Sequence, residues 1–231
     1  MVGVEATLRV PPINLHAQVG SHMLRRRGAW PTPSFEQIRK RARILVIDDQ
    51  AFPYEALFAR DGYSLTKEDD VSSLSDLEDG DYDLILLDLQ GVGSKESSDE
   101  GLGVLRHLRE VRPAQMVIAY SEATFGLKAQ PFFRLADGVL QKSADYIAFK
   151  EKVDELLQSR FSVGFYVGRI AVEAGLAGRE NARLADLAQR AIISGRPAKL
   201  RAFLKDKIDD KTIRRILIII EAARFAASVW K

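Results

Sequence analysis

Short apolar runs and helically spaced stripes alternate through the middle of the chain. Arg43-Ile44-Leu45-Val46-Ile47 reads as a buried strand and stops at Asp48-Asp49. Leu84-Ile85-Leu86-Leu87 repeats the pattern and stops at Asp88, and Met116 to Tyr120 repeats it again before Ser121. Weaker strand signals lie at 63–66 and at Val139-Leu140, the latter shortly before Lys142. Between these runs the spacing predicts helices over 51–59, with Pro53 near the start, and over 73–77, 101–111 and 144–160. Leu102, Leu105 and Leu108 share one face of the third, and Phe149, Val153, Leu156 and Leu157 one face of the last.

Strands that are apolar throughout, separated by helices, indicate an α/β domain with a parallel sheet covered on both faces. Beyond residue 160 the period is helical only. Val163, Tyr166, Val167 and Ile170 form one stripe, Leu184, Leu187, Ala188 and Ala191 another, and Leu200, Phe203 and Leu204 a third. Gly195-Arg196-Pro197 punctuates the last two. Ile216 to Ile220 has the composition of a strand, but its charged flanks favour a helix with Ile213, Ile216, Leu217 and Ile220 on its apolar face.

Charge divides the chain in the same places. Residues 1–42 carry 7 basic and 2 acidic side chains, 43–159 carry 12 and 23, and 160–231 carry 15 and 7, for nets of +5, −11 and +8. The expected organisation is a basic N-terminal extension over 23–42, an α/β domain over 43–159 and an all-α helical domain over 160–231. Gly20-Ser21-His22-Met23 reads as the scar of an expression tag, so 1–22 is set aside as a tag remnant. With no cysteine, disulfides, thiolate chemistry and cysteine-ligated zinc are excluded. His16, His22 and His107 are far apart in sequence, which argues against a histidine metal cluster. No apolar run approaches the roughly 18 residues of a bilayer span, and the expectation is a cytoplasmic protein with no membrane partner.

A parallel sheet would carry Asp48, Asp49, Asp88, Ser121 and Lys142 to one edge, the edge at which ligands of open α/β sheets bind. Crowded carboxylates call for a hard cation such as Mg²⁺, while an ammonium and a hydroxyl suit phosphoryl oxygens. Such a set can stabilise phosphoryl transfer onto Asp88 itself, giving an acyl phosphate.

These five residues, in this order within a βα framework, resemble the receiver domain of bacterial response regulators over about 43–159. The resemblance implies a doubly wound (flavodoxin-like) five-stranded parallel sheet of order 2-1-3-4-5 and phosphotransfer from a histidine kinase or phosphotransfer protein, catalysed by the receiver itself. It implies Asp88 as phosphoacceptor, Asp48 and Asp49 as the acidic pair for Mg²⁺, and the backbone carbonyl of Gln90 as a further ligand. Ser121 corresponds to the switch hydroxyl and Lys142 to the counter-ion of the phosphoryl group.

The chain departs from the family pattern at Val139, where an aromatic residue is usual, and at Ser143, where proline is usual. The loop after Asp88 is longer by about four residues if Asp99-Glu100-Gly101 matches the family's Asp-Gly turn, and 123–137 reads as a short or irregular helix. The acidic stretch 95–100 reads as a solvated loop in preference to a second metal site. The departures motivate a second expectation, an interaction scaffold that does not depend on phosphorylation. The basic C-terminal helices motivate a third, a DNA-binding regulator, and their apolar faces an expectation of homodimerisation.

Overall fold

The computed structural model describes residues 30–80, 82–122 and 134–230. The tag remnant, the first residues of the basic extension (23–29) and most of the irregular segment 123–137 lie outside the described residues.

Five parallel strands form one sheet: β1 (Arg43–Ile47), β2 (Ser64–Glu68), β3 (Leu84–Asp88), β4 (Met116–Ser121) and β5 (Gly138–Gln141), in the order β2-β1-β3-β4-β5. The helices in chain order are α1 (Phe35–Arg41), α2 (Glu55–Arg60), α3 (Leu74–Asp79), α4 (Gly101–Val111), α5 (Tyr146–Arg160), α6 (Val163–Ala174), α7 (Gly178–Ser194), α8 (Ala198–Leu204) and α9 (Asp210–Ser228). The expected doubly wound sheet with a C-terminal helical region is therefore present.

Alternation along the strands sorts the core into two layers. Leu45, Ile47, Ile85, Leu87, Val117 and Ala119 meet Leu77 of α3 and Leu102, Leu105 and Leu108 of α4. Ile44, Val46, Leu84, Leu86, Met116 and Ile118 face the other way, toward Ile38 of α1 and Phe149 and Val153 of α5. This second layer runs on without a break through Phe161, Phe165 and Tyr166 into the helices that follow.

Several boundaries differ from the expected ones. Helix α2 starts at Glu55 and not at 51, because Phe52 turns into the core and Pro53 occupies a turn. Strand β2 spans Ser64–Glu68 in place of 63–66; it is the sheet edge, and its half-exposed pattern blurs the apolar signal. Helix α3 begins after its N-cap Ser73 and extends to Asp79. The isoleucine-rich run lies within α9, burying Ile213, Ile216, Ile219, Ile220 and Ala223 at helical spacing, with Asp209 capping the start through Thr212 N. Helix α5 is similarly capped by Asp145, which accepts from Ala148 N at 2.9 Å.

The C-terminal helices cap the amino-terminal edge of the sheet. Arg160, at the end of α5, is 5% exposed; its Nε donates to Asp83 just before β3 and its Nη1 to the Tyr166 hydroxyl, each at 3.2 Å. Arg169 of α6 pairs with Asp137, which immediately precedes β5, at 2.8 Å and donates to the carbonyl of Gln115 before β4 at 3.3 Å. Asp137 also holds Arg109 of α4 at 2.9 Å. A strand of this length spans roughly 17 Å, so this junction is about that far from the carboxyl edge. No helix among the described residues is long and apolar enough to cross a membrane.

Candidate functional site

The carboxyl ends of β1 and β3 deliver Asp48 and Asp88 side by side, since Ile47 and Leu87 are register partners. Each acid ends an entirely apolar run and is itself 2% exposed, whereas Asp49 points outward. One carboxylate oxygen from each of Asp48, Asp49 and Asp88 lies within 4.8 Å of the others, and this is the one such cluster found among the described residues. The stretch 95–100 contributes no comparable group.

Lys142 follows β5 and is tied down by its amide, which donates to Ser121 O at 3.2 Å. Its ammonium bridges the two buried acids, 2.7 Å from Asp88 Oδ2 and 2.9 Å from Asp48 Oδ1. Asp88 Oδ1 accepts from Leu89 N at 2.6 Å, and Asp48 Oδ1 also accepts from Gln50 N at 2.9 Å. Ser121 is buried at the end of β4, one residue beyond Tyr120, which is the register partner of Asp88. Gln90 is exposed, two residues past Asp88. Val139 lies opposite Ala119 within the sheet.

The loop behind Asp88 is built around close backbone approach. Gly91 has φ +78°, and a Cβ there would sit 2.3 Å from Asp49 Oδ2. A Cβ on Gly101, at the start of α4, would sit 2.1 Å from the carbonyl oxygen of Asp88. Ahead of the stretch 95–100, which is largely exposed, the loop is anchored: Val92 is fully buried against α4, and Gly93 N donates to Asp70 Oδ1 at 2.6 Å.

Tyr120 belongs to this site, and sequence reasoning missed it. Its hydroxyl donates to Asp48 Oδ2 at 2.5 Å from a ring packed edge-on against Phe52 and Phe149. Within Met116 to Tyr120 it reads as one more large strand residue; its position directly before Ser121 was the available signal. A cleft of about 140 Å³ opens beside Asp48, Tyr120, Glu122 and Lys142.

The electrostatics follow from burial and crowding. Burial pushes the Asp88 carboxyl above the usual range and outweighs the stabilising Lys142 ammonium, with the neighbouring Asp48 adding to the rise. Burial also opposes the charge on Asp48, but donation from Tyr120 and Lys142 prevails and its pKa lies below the usual value. For Lys142 burial disfavours the ammonium, yet Asp88 and Asp48 together hold its pKa above that of a free lysine. Burial, then the bond to Asp48, keeps the Tyr120 phenol protonated. Three acids against one ammonium leave a local excess of negative charge that a small divalent cation fits, and the oxygen-only donors suit Mg²⁺ chemistry.

The sheet order defines a doubly wound, flavodoxin-like α/β domain with an acidic cluster at its strand ends, here carrying additional C-terminal helices. No protein-family model matches the chain, and no curated protein matches it. Among the solved structures similar to it are receiver domains and response regulators. A receiver domain protein from Methanospirillum hungatei is 20% identical over 52% of this chain and 95% of its own, with a TM-score of 0.44. The response regulator TrrA from Thermotoga maritima, solved with Mg²⁺ and beryllofluoride, is 27% identical over 50% of this chain and 98% of its own, with a TM-score of 0.40. The receiver domain of NtrX from Brucella abortus is 21% identical over 50% and 98%, with a TM-score of 0.43.

Proposed function

We propose that this chain is a response regulator that accepts a phosphoryl group on Asp88 in a Mg²⁺-dependent reaction. The observation that carries the reading is the Lys142 ammonium bridging Asp48 and Asp88 within a cluster of three carboxylates. A histidine kinase or phosphotransfer protein is the donor. An Asp88 oxygen attacks phosphorus, the P–N bond to the donor imidazole breaks, that nitrogen takes a proton, and an acyl phosphate forms. Asp48, Asp49, Asp88 and the Gln90 carbonyl are the residues that would hold Mg²⁺, which supplies neutralisation of the phosphoryl charge. Lys142 pairs with the phosphoryl oxygens, and the Ser121 hydroxyl donates to one of them.

Beryllofluoride, a phosphoryl mimic, tests this reading directly. With Mg²⁺ it is expected to raise the melting temperature of the wild type and leave Asp88→Asn unmoved. Equal responses from the two proteins would remove Asp88 from the role. If Asp88→Asn retains every partner and output of the wild type, the chain is a scaffold that does not depend on phosphorylation.

A second reading, for the C-terminal helices, is a nucleic-acid-binding output. From Arg183 to Lys205 there are six basic side chains and one acid, Asp186, which pairs with Arg190. Lys199 and Arg201 on α8 and Lys205 directly after it are exposed beside the small Ala198 and Ala202, leaving room for a phosphate backbone. Labelled duplex DNA should bind the full chain with an affinity that falls steeply with salt, and Lys199→Glu with Arg201→Glu should abolish it. Salt-insensitive or mutation-insensitive binding rejects this output.

A further inference from the structure

We propose that Tyr120 is a positioning residue of the cation site: its phenol fixes the Asp48 carboxylate in the orientation from which that acid serves the metal. The proposal rests on the reading of Asp48, Asp49 and Asp88 as a Mg²⁺ site, and its test separates the two.

Tyr120 is 1% exposed at the end of β4. Phe52 and Phe149 stand edge-on to its ring at centroid distances of 6.3 and 6.0 Å, so the ring has little room to turn. A hydroxyl at this depth is favourable only when paired, and its partner is Asp48 Oδ2 at 2.5 Å. Met116 and Ile118, which point to the same face of β4, are apolar; on that face the strand carries a polar atom where it reaches an acid of the cluster.

The other donors to Asp48 cannot substitute for it. Gln50 N and the Lys142 ammonium both serve Oδ1, which leaves Oδ2 to Tyr120. Lys142 is also shared with Asp88, where an incoming phosphoryl group competes for it. When Lys142 turns to that group, Tyr120 still holds Asp48. Hydrogen-bond partners of this kind, one step removed from a metal, orient the ligand, and their loss typically weakens metal binding about 10- to 100-fold.

The experiment is Mg²⁺ titration by calorimetry of the full chain, with a double-mutant cycle. Tyr120→Phe removes one oxygen and is expected to raise the Mg²⁺ dissociation constant at least about tenfold. In an Asp48→Asn background the same change should alter it by less than about twofold, because the carboxylate it orients is gone. Tyr146→Phe, which removes a phenol hydroxyl bonded to an acid away from the cluster, should stay near wild type. Wild-type affinity in Tyr120→Phe, an equal loss in both backgrounds, or an equal loss in Tyr146→Phe would each overturn the positioning role while leaving the metal site standing. Absence of Mg²⁺ binding by the wild type would overturn the site itself.

Discussion

At the scale of single residues, the site depends on groups placed at strand ends and on backbone that approaches them closely. Gly91 shows the second dependence. Its φ of +78° disfavours any residue with a Cβ, and the 2.3 Å that would separate a Cβ on it from Asp49 Oδ2 means that the Asp49 carboxylate would have to shift. Gly91→Ala should cost about 1–3 kcal/mol of stability, read by urea denaturation, and should weaken Mg²⁺ binding by displacing Asp49. Tyr146 gives a pH signature away from the site. Burial first, and donation to Asp61 second, push its phenol up to about 12. A phenol whose folded pKa exceeds its unfolded value of about 10 stabilises the fold fully below pH 10, and that contribution disappears as pH rises through 12. Alkaline difference spectroscopy should show one tyrosine ionising near 12, absent in Tyr146→Phe.

The strand-end acids and Lys142 were legible because each terminates an apolar run, where a polar residue is conspicuous. Tyr120 was not, since an aromatic residue is an ordinary occupant of a buried strand and only the fold brings its hydroxyl to Asp48. The carbonyl assigned by resemblance to Gln90 has no side-chain chemistry for a sequence to display.

At the scale of elements, the β1, β3 and β4 strands were readable for a simple reason. They are interior strands covered on both faces, so every position apart from Arg43, Asp88 and Ser121 at their ends is apolar, while β2 at the edge is half-exposed and its limits shifted. The start of α2 moved because Phe52 satisfies the core before the helix begins. The same aromatic layer makes α5 sensitive to substitution. Phe149 is 1% exposed and contacts Phe52, Tyr54 and Tyr120 through its ring. Phe149→Ala should therefore destabilise the protein by about 3–5 kcal/mol in denaturant unfolding, far more than the conservative Phe149→Leu.

At the scale of the whole molecule, the charge break near residue 160 does not coincide with a break in the core. Phe161, Phe165 and Tyr166 continue the layer formed by α5, and Arg160 ties the junction to Asp83 and Tyr166. Composition can register a change of architecture, but not that two architectures share one interior. Both tryptophans report on this junction: Trp30 donates to Phe161 O at 2.7 Å, and the Trp230 ring meets that of Phe161 at 5.4 Å. Tryptophan fluorescence and far-ultraviolet circular dichroism should accordingly trace one coincident unfolding transition. Arg160→Met, which leaves Asp83 without its guanidinium, should shift that transition by about 3 kcal/mol. Two separated transitions would show that the helices and the sheet unfold independently.

The acids sit at one end of the sheet and the helical junction at the other, so the proposed phosphodonor would approach Asp88 at the edge away from that junction. The measurement that bears most directly on this account is intact-mass spectrometry after incubation with Mg²⁺ and a small acyl-phosphate donor. The wild type should gain the mass of one phosphoryl group, and should lose it again on treatment with hydroxylamine, which cleaves acyl phosphates. Asp88→Asn should gain none. An unmodified wild type, or equal modification of both proteins, would contradict the assignment of Asp88 as phosphoacceptor.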